Sequence, residues 1–198
     1  MRLQRRRRGI DATALHGGVY IGLGSNLCDP VQQVRAALED LSGLTETRLL
    51  ACSFLYRTSP MGPGDQPDYV NAVAHLETGL GARDLLVALQ GIERRHGRVR
   101  DGTRWGPRTL DLDILLFGGA VVDEPGLRLP HPEIGRRAFV LIPLADLAPP
   151  ELEIPGQGRL ADLLARCDGE GVVRLAERPP SACECGEQLA ESPDLQQE

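Results

Sequence analysis

The chain has 198 residues, a formal net charge of -6 and an odd number of cysteines, five, without regular spacing. The length suits one globular domain with tails, and the acidic balance argues against a general nucleic-acid binder, which would neutralise many phosphates. All 22 basic residues are arginines. Mechanisms that need lysine, such as a Gly-Lys-Ser/Thr phosphate loop or a Schiff base, are therefore excluded. Any phosphate site must use arginine, backbone amides and metal.

No stretch approaches the roughly 20 apolar residues of a bilayer-spanning helix, which predicts a soluble protein without a membrane partner. The irregular cysteines do not suggest a disulfide framework, and free thiols suit the reducing cytoplasm. We expect residues 1–18, with an arginine run at positions 5–8, to be a disordered extension and residues 19–175 to form the folded domain. Residues 176–198, with Cys183 and Cys185, are expected to be a disordered acidic tail.

The sequence of the first half of the domain predicts a strand, a helix and two further strands. Residues 19–23 form a short apolar run, and the Gly-Ser-Asn sequence at 24–26 predicts a tight turn before a helix that begins at Asp29 and Pro30. Residues 49–56 and 69–76 predict two strands. The loop between them is rich in proline and glycine, and a long ordered loop usually has a function.

The second half adds a helix and a strand. Leucines and an isoleucine at helical spacing predict a helix at residues 82–95, and apolar residues alternate with aspartates in a strand from residue 110. The order β-α-β-β-α-β is that of the ferredoxin-like α+β fold, with helices on one face of a mainly antiparallel sheet. We expect a hairpin through Val121 and Val122 to extend the last strand, and extra C-terminal helices at residues 132–144 and 160–166.

Arginines are concentrated between residues 94 and 108, directly ahead of Asp111 and Asp113. Residues two apart in a strand face the same way, and like charges side by side repel, so this aspartate pair needs solvent, a basic partner or a cation. Taken alone, the aspartates could be a solvated strand face and the arginines a solvated basic loop. Together they favour a metal-bound polyphosphate, because arginine matches phosphate oxygens and carboxylates hold Mg²⁺.

Aromatic residues near this site are candidates to stack on a ligand, because aromatics are only 4% of the chain. The candidates are Tyr69, Trp105 and Phe139, and a core position is the alternative for each. Tyr69 and Asn71 project from one face of the same strand. An amide beside an aromatic ring suits a flat heterocycle with donor and acceptor edges.

Two smaller features have competing interpretations. Gly22 and Gly24 resemble the start of a dinucleotide-binding fingerprint, but Leu27 stands where the third glycine belongs. That motif is rejected, and a role in the turn is favoured, for Gly22 in particular. His96 and His131 lie beside arginines, where a histidine can donate to phosphate or ribose, and helix capping is the alternative for His131.

Four blocks of the sequence are GSN at 24–26, RTSPMGPGDQPDYVNAV at 57–73, GRVRDGTRWGPRTLDLDILLFG at 97–118 and LPHPEIGRRAFVLIPLADLAP at 129–149. Together they closely resemble the 6-hydroxymethyl-7,8-dihydropterin pyrophosphokinase family, in its order and spacing, from about residue 19 to about residue 164. The resemblance implies the ferredoxin-like fold and a monomeric folate-pathway enzyme. Such an enzyme moves the terminal two phosphates of ATP, as one unit, onto the hydroxymethyl group of a reduced pterin and releases AMP.

The resemblance also implies roles for individual residues. Asp111 and Asp113 would hold two Mg²⁺ ions, and Arg98 and Arg108 would contact the phosphates; these four are the expected catalytic residues. The expected ATP-binding set is Gln90, Glu93, Arg98, Arg100, Arg104, Trp105, Arg108, Ile114, His131 and Arg137. The expected pterin-binding set is Thr58, Pro60, Met61, Tyr69, Asn71, Asp111 and Phe139. Loops at residues 60–67 and 98–104 would close over the substrates, while Asp101 and Pro132 depart from residues common in the family.

Two other classes share single features with this sequence. Nucleotidyltransferases pair a Gly-Ser with an Asp-x-Asp at a two-metal site, but in that class the motifs lie close together, whereas Ser25 and Asp111 are separated by several elements. A ferredoxin-like RNA-binding module would need exposed aromatics on its central strands and a basic sheet face. The sequence indicates neither.

Overall fold

The computed structural model describes residues 18–60, 66–98 and 106–176. Its leading elements are β1 (Val19–Ser25), α1 (Pro30–Ser42), β2 (Thr47–Cys52), β3 (Tyr56–Thr58), β4 (Tyr69–Thr78), α2 (Ala82–Arg95) and β5 (Asp111–Phe117). They are followed by β6 (Val122–Glu124), β7 (Leu127–Leu129), a 3₁₀ helix (Ile134–Arg136), α3 (Ala138–Ala145), β8 (Glu153–Ile154), β9 (Gly158–Arg159), α4 (Leu160–Ala165) and β10 (Val172–Arg174). The predicted ferredoxin-like α+β order is confirmed, with one strand divided in two. The predicted terminal extensions lie almost entirely outside the described residues.

The main sheet pairs its strands antiparallel throughout. They lie in the order β10-β3-β4-β1-β5, and β2 also pairs with β4. β1 is therefore central, and Gly24 near its end lies opposite Asn71 on β4 and Asp111 on β5. This register brings together three segments that are far apart in the sequence.

Helices cover both faces of this sheet, each over its own apolar core. α1 and α2 share one face, as predicted, and pack on β1, β4 and β5. α3 and α4 lie over the opposite face, where Leu141 and Leu144 pack with Tyr20, Val73 and Leu115. The C-terminal helices thus form a second helical layer. No helix in the described part of the chain is long and apolar enough to cross a membrane.

The prediction of a single strand at residues 49–56 is wrong. The strand is interrupted between Cys52 and Tyr56, although both parts, β2 and β3, pair with β4. Ser53 bridges the gap: its N–H donates to the Val73 carbonyl at 2.9 Å, and its Oγ accepts from the Val73 N–H at 2.9 Å. A serine side chain can take the place of a backbone group in such hydrogen bonds. Strand propensity alone does not predict an interruption of this kind.

Two other boundaries also differ from the prediction. β5 ends ahead of Gly118, whose φ of 56° turns the chain, so β6 and β7 form a separate two-stranded ribbon and do not extend the sheet. The helix predicted at residues 132–144 begins only at residue 138, after the 3₁₀ helix and an extended Arg137. Because the His131 N–H donates to the Leu115 carbonyl at 2.9 Å, the segment before α3 is held against β5 and cannot join the helix.

Asp146, at the end of α3, accepts hydrogen bonds from the Phe54 N–H at 3.0 Å and from the Tyr56 hydroxyl at 2.9 Å. Tyr56 is 5% exposed, so Asp146→Ala would deprive a buried hydroxyl of this acceptor. We expect the free energy of unfolding to fall by about 1–3 kcal/mol, measured by urea denaturation. Arg83→Ala, which breaks an exposed ion pair with Glu124, should cost less than about 0.5 kcal/mol. Equal losses in the two variants would contradict this assignment.

Candidate active site

An open pocket of about 420 Å³ lies between the end of β1 and the start of α3. Its walls come from β1, β3, β4, β5, α3 and the segment before α3. Nine residues predicted from the sequence line it, namely Thr58, Tyr69, Asn71, Arg108, Asp111, Asp113, His131, Arg137 and Phe139. The pocket has the size of a small-molecule site and combines aromatic walls with charged groups.

Two glycines of the central strand form part of the pocket floor. A Cβ atom at position 24 would lie 3.1 Å from Asn71 Oδ1, and one at position 22 would lie 3.2 Å from a methyl group of Leu115. Because the pleat alternates side chains, these positions face the pocket together with Asn71, Asp111 and Asp113. Gly22 and Gly24 lie inside β1, so the turn role favoured for Gly22 is wrong. Their missing side chains leave space for a ligand.

One end of the pocket has an aromatic residue on each of two elements and an amide on the sheet. Tyr69 projects from β4 and Phe139 from α3, and both line the pocket. Asn71 is buried, and its Nδ2 donates to Thr58 Oγ1 at 2.7 Å. In this orientation Oδ1 and the second Nδ2 hydrogen stay available to a ligand. We call Tyr69, Asn71 and Phe139 the aromatic slot.

The other end of the pocket concentrates charge around Asp111. Its two carboxylate oxygens accept separately from the guanidinium groups of Arg98 and Arg108. Arg98 also pairs with Glu93, whose side chain is only 2% exposed. Glu93 in turn accepts from the Leu112 N–H at 2.9 Å, which joins α2 to β5. We call these four charged side chains and Asp113 the charge cluster.

Asp113 is the least compensated acid of the charge cluster. Its one ion-pair partner within 4 Å among the described residues is His131, whose Nε2 lies 3.8 Å from Oδ2. Partial burial in the pocket, followed by the like charges of Asp111 and Glu93, raises the pKa of Asp113 to about 6. A cation would relieve this repulsion. The described residues contain no group of three or more His, Cys, Asp or Glu that could hold a metal, so a cation here would also need oxygens from a ligand, as Mg²⁺ on a polyphosphate has.

A β-bulge positions His131 beside Asp113. The pairing of β1 with β5 shifts between Tyr20 and Ile21 and leaves Leu115 as an extra residue on β5, whose carbonyl accepts the His131 N–H. Bulges often redirect side chains next to active sites. His131 Nδ1 accepts from the Glu133 N–H at 3.1 Å, so the neutral ring carries its proton on Nε2, toward Asp113. Nδ1 of His131 holds the turn at Glu133 but caps neither the 3₁₀ helix nor α3, so the capping interpretation is wrong. A contact of Nε2 with a ligand stays a prediction.

Comparisons with known proteins agree with this geometry. Residues 20–149 match the model of the 7,8-dihydro-6-hydroxymethylpterin-pyrophosphokinase (HPPK) family. The chain belongs to this family. A 2-amino-4-hydroxy-6-hydroxymethyldihydropteridine pyrophosphokinase of Pseudomonas aeruginosa is 57% identical over 157 residues, which are 79% of this chain and 96% of the relative. The enzyme of that name from Haemophilus influenzae is 46% identical over 156 residues, again 79% and 96% of the two chains.

A solved structure is similar in fold. The wild-type HPPK-DHPS of Plasmodium falciparum with SDX-DHP superposes with a TM-score of 0.60 at 14% identity, covering 76% of this chain and 44% of that one. This chain thus spans less than half of that larger protein. Membership of the HPPK family makes the chain an enzyme and rules out both the nucleotidyltransferase and the RNA-binding interpretations.

Some residues that the family resemblance selected lie away from the pocket. Ile114 is buried in the core beneath α1 and α2, so a contact with a nucleotide would have to come from its backbone. Gln90 on α2 and Pro60 after β3 are part-buried and do not line the pocket. Arg98 and Glu93 do not line it either and lie behind Asp111, to which Arg98 is paired. His96 turns toward α1, so its suggested contact with phosphate or ribose is wrong. Four residues lie outside the described part of the chain: Met61, Arg100, Arg104 and Trp105.

Asn26 is a site residue whose importance the sequence did not reveal. It is 1% exposed; its Oδ1 accepts from the Arg108 N–H at 2.7 Å, and its own N–H donates to the Arg108 carbonyl at 3.0 Å. Its Nδ2 donates to the Pro67 carbonyl at 3.2 Å. One side chain therefore holds the segments on both sides of the pocket. An asparagine after a strand is also typical of a turn, so only the fold distinguishes the two roles.

Replacement of Asp113 should change stability in a pH-dependent way. An aspartate whose pKa is raised on folding costs nothing below the unfolded value of about 4, and it destabilises the fold as the pH rises through its folded pKa of about 6. Asp113→Asn should therefore raise the Tm of the ligand-free protein at pH 8 and leave it unchanged at pH 4, measured by calorimetry. The side chain is 45% exposed, so solvent screening limits the gain to less than about 1 kcal/mol. A lower Tm for the variant at pH 8 would contradict the assignment.

Proposed function

We propose that this chain transfers the β,γ-diphosphate of ATP to the hydroxymethyl group of 6-hydroxymethyl-7,8-dihydropterin, releasing AMP, as a step of folate biosynthesis. The observation that carries the proposal is one pocket in which the aromatic slot adjoins Arg108, Asp111 and Asp113 of the charge cluster. A transfer between two ligands requires both to be held within reach of each other. Family membership and the names of the relatives support the same reaction.

The aromatic slot is suited to the pterin. Tyr69 and Phe139 would stack on the two faces of the ring, and Asn71 would read its polar edge with the donor and acceptor that Thr58 leaves available. Burial raises the pKa of the Tyr69 hydroxyl, which therefore remains protonated and donates to the Gly106 carbonyl at 3.1 Å. This hydrogen bond connects Tyr69, one wall of the aromatic slot, to the segment that carries Arg108.

The charge cluster is suited to the triphosphate. Asp111 and Asp113 would hold Mg²⁺, with two ions expected, and their hard oxygen donors fit that cation. Bound Mg²⁺ would neutralise the phosphate charge and orient the transferred group. Arg98 and Arg108 would contact phosphate oxygens, and His131, with its proton on Nε2, offers a donor rather than a base.

Binding of the nucleotide would rearrange the ion pairs around Asp111. In the ligand-free arrangement both arginines are paired with the same carboxylate that would hold the metal. Phosphate oxygens accept the same bidentate pattern of arginine donors. An exchange of arginine partners from carboxylate to phosphate would leave Asp111 free to bind the cation as the triphosphate arrives.

We further propose that the protein works as a monomer in the cytoplasm on these small molecules alone. The net charge of -6 supports the lack of a nucleic-acid partner. The resemblance to the family supports the monomer, and the odd number and irregular spacing of the cysteines support a reducing compartment. Closure of loops 60–67 and 98–104, most of whose residues lie outside the described ranges, would exclude water from the transfer.

The proposal is tested by incubating the protein with Mg²⁺, ATP and the pterin, and by separating the nucleotide products by chromatography. We expect AMP that depends on the pterin. ADP or inorganic diphosphate as the product would contradict the reaction. Asp113→Asn is the matched control, because it should lose at least about a hundredfold in kcat while remaining folded and, at pH 8, slightly more stable than the parent.

Asn71→Ala should separate the two substrates. Loss of the amide removes the groups that read the pterin edge, so KM for the pterin should rise about tenfold or more, while KM for ATP stays within about twofold. Steady-state kinetics with each substrate varied in turn measures both. Thr58→Val, which keeps the shape of its side chain but removes the partner of Asn71, should give a smaller rise in the same constant. Equal changes for both substrates would show that the pterin lies elsewhere.

A further inference from the structure

The side chain of His96 connects the C-terminal end of α2 to α1. The ring's Nδ1 lies 2.7 Å from Gln33 Oε1, and its Nε2 lies 3.0 Å from Asp40 Oδ2. Both partners are on α1, and the His96 side chain is only 11% exposed. Both ring nitrogens therefore face acceptor oxygens on α1, and a neutral ring donates to one of them at a time. His96 does not line the pocket.

The partners of His96 are themselves held in place. Gln33 Nε2 donates to the Cys28 carbonyl at 3.3 Å, so the amide is oriented with its oxygen toward the ring. Asp40 Oδ2 also lies 3.3 Å from Arg95 Nη2, which adds a second link between α2 and α1. The tie thus runs from α2 through α1 to the turn that follows β1. That turn carries Asn26, the residue that holds Arg108.

His96 is connected to Arg98 by a rigid helix end. Gly97, with φ 76°, adopts the left-handed conformation that ends a helix. The Arg98 N–H donates to the Glu93 carbonyl at 3.0 Å, and the Gly97 N–H donates to the Arg94 carbonyl at 3.1 Å. This pair of bonds is the Schellman motif. Only Gly97 separates His96 from Arg98, and both the backbone and the guanidinium of Arg98 are bound to Glu93.

We propose that His96 is a positioning residue for Arg98. By tying the last turn of α2 to α1, it sets the point from which the Arg98 side chain reaches Asp111 in the ligand-free protein and phosphate in the complex. The inference rests on the proposed function only in giving Arg98 a phosphate ligand. A residue that merely stabilised the helix pair would lower overall stability without acting through Arg98.

The first test needs no catalysis. Hydrogen exchange of the Arg98 amide, followed by NMR, reports the Schellman bond directly. His96→Ala should speed this exchange about tenfold or more while leaving the amides of β1 and β4 unchanged. His96→Gln, which can still reach one partner, should restore part of the protection and also provides a second variant if the alanine variant folds poorly. Unchanged protection at Arg98 in both variants would overturn the proposal.

The second test asks whether His96 acts through Arg98. With a non-hydrolysable ATP analogue and Mg²⁺, calorimetry should show that His96→Ala weakens binding roughly three- to tenfold, about the effect of one net hydrogen bond. In an Arg98→Ala background the same change should have no further effect. Equal weakening in both backgrounds would overturn the positioning role.

A control variant and the assay for AMP separate this inference from the proposed function. Arg83→Ala breaks a 2.6 Å ion pair at the other end of α2 and should change neither Arg98 exchange nor nucleotide binding. If it changes both as His96→Ala does, the effect belongs to the helix as a whole and the proposal fails. Nucleotide binding without pterin-dependent AMP would contradict the proposed reaction and leave the result on His96 standing.

Discussion

The mutual repulsion of Glu93, Asp111 and Asp113 is the constraint on which the site depends. Three carboxylates at one end of a sheet are tolerated only with cations beside them. Arg98 and Arg108 compensate Glu93 and Asp111, whereas Asp113 keeps a pKa raised to about 6. Among the described residues Asp113 has no arginine within ion-pair distance, and a metal-bound polyphosphate would supply a cation for Asp113 and an anion for the arginines.

The surrounding architecture holds the two arginines by their backbones. Arg98 follows the Schellman turn at the end of α2, and Arg108 is bound on both its N–H and its carbonyl by Asn26. Fixed backbones suit an exchange of partners by the two guanidinium groups, because little conformational freedom remains to be lost when phosphate binds. Repulsion among the acids destabilises the fold, and the two apolar cores on either side of the sheet compensate for it.

The pocket itself results from small residues and local irregularities in an otherwise regular sheet. Gly22 and Gly24 leave the floor open, and the bulge at Leu115 turns a carbonyl toward His131. The interruption at Ser53 lets Asp146 of α3 bind beside it on the neighbouring edge. α3 is anchored at that edge and carries Phe139 at its other end, so the strand break also contributes to the placement of the slot's second wall.

The sequence was enough to predict the order of elements, the two aspartates on one face of a strand, and the position of Tyr69 and Asn71 on one face of another. Helix and strand periods are local properties of the chain. The family resemblance added the residues of the nucleotide site. Only the tertiary structure decided that α3 lies on the opposite face from α1 and α2, that Gly22 forms the floor of the pocket and that His96 faces α1. It also revealed Asn26 as the link between two distant segments. These features depend on strand register and on which side chains meet across the fold, and such long-range contacts leave no periodic signal in the sequence.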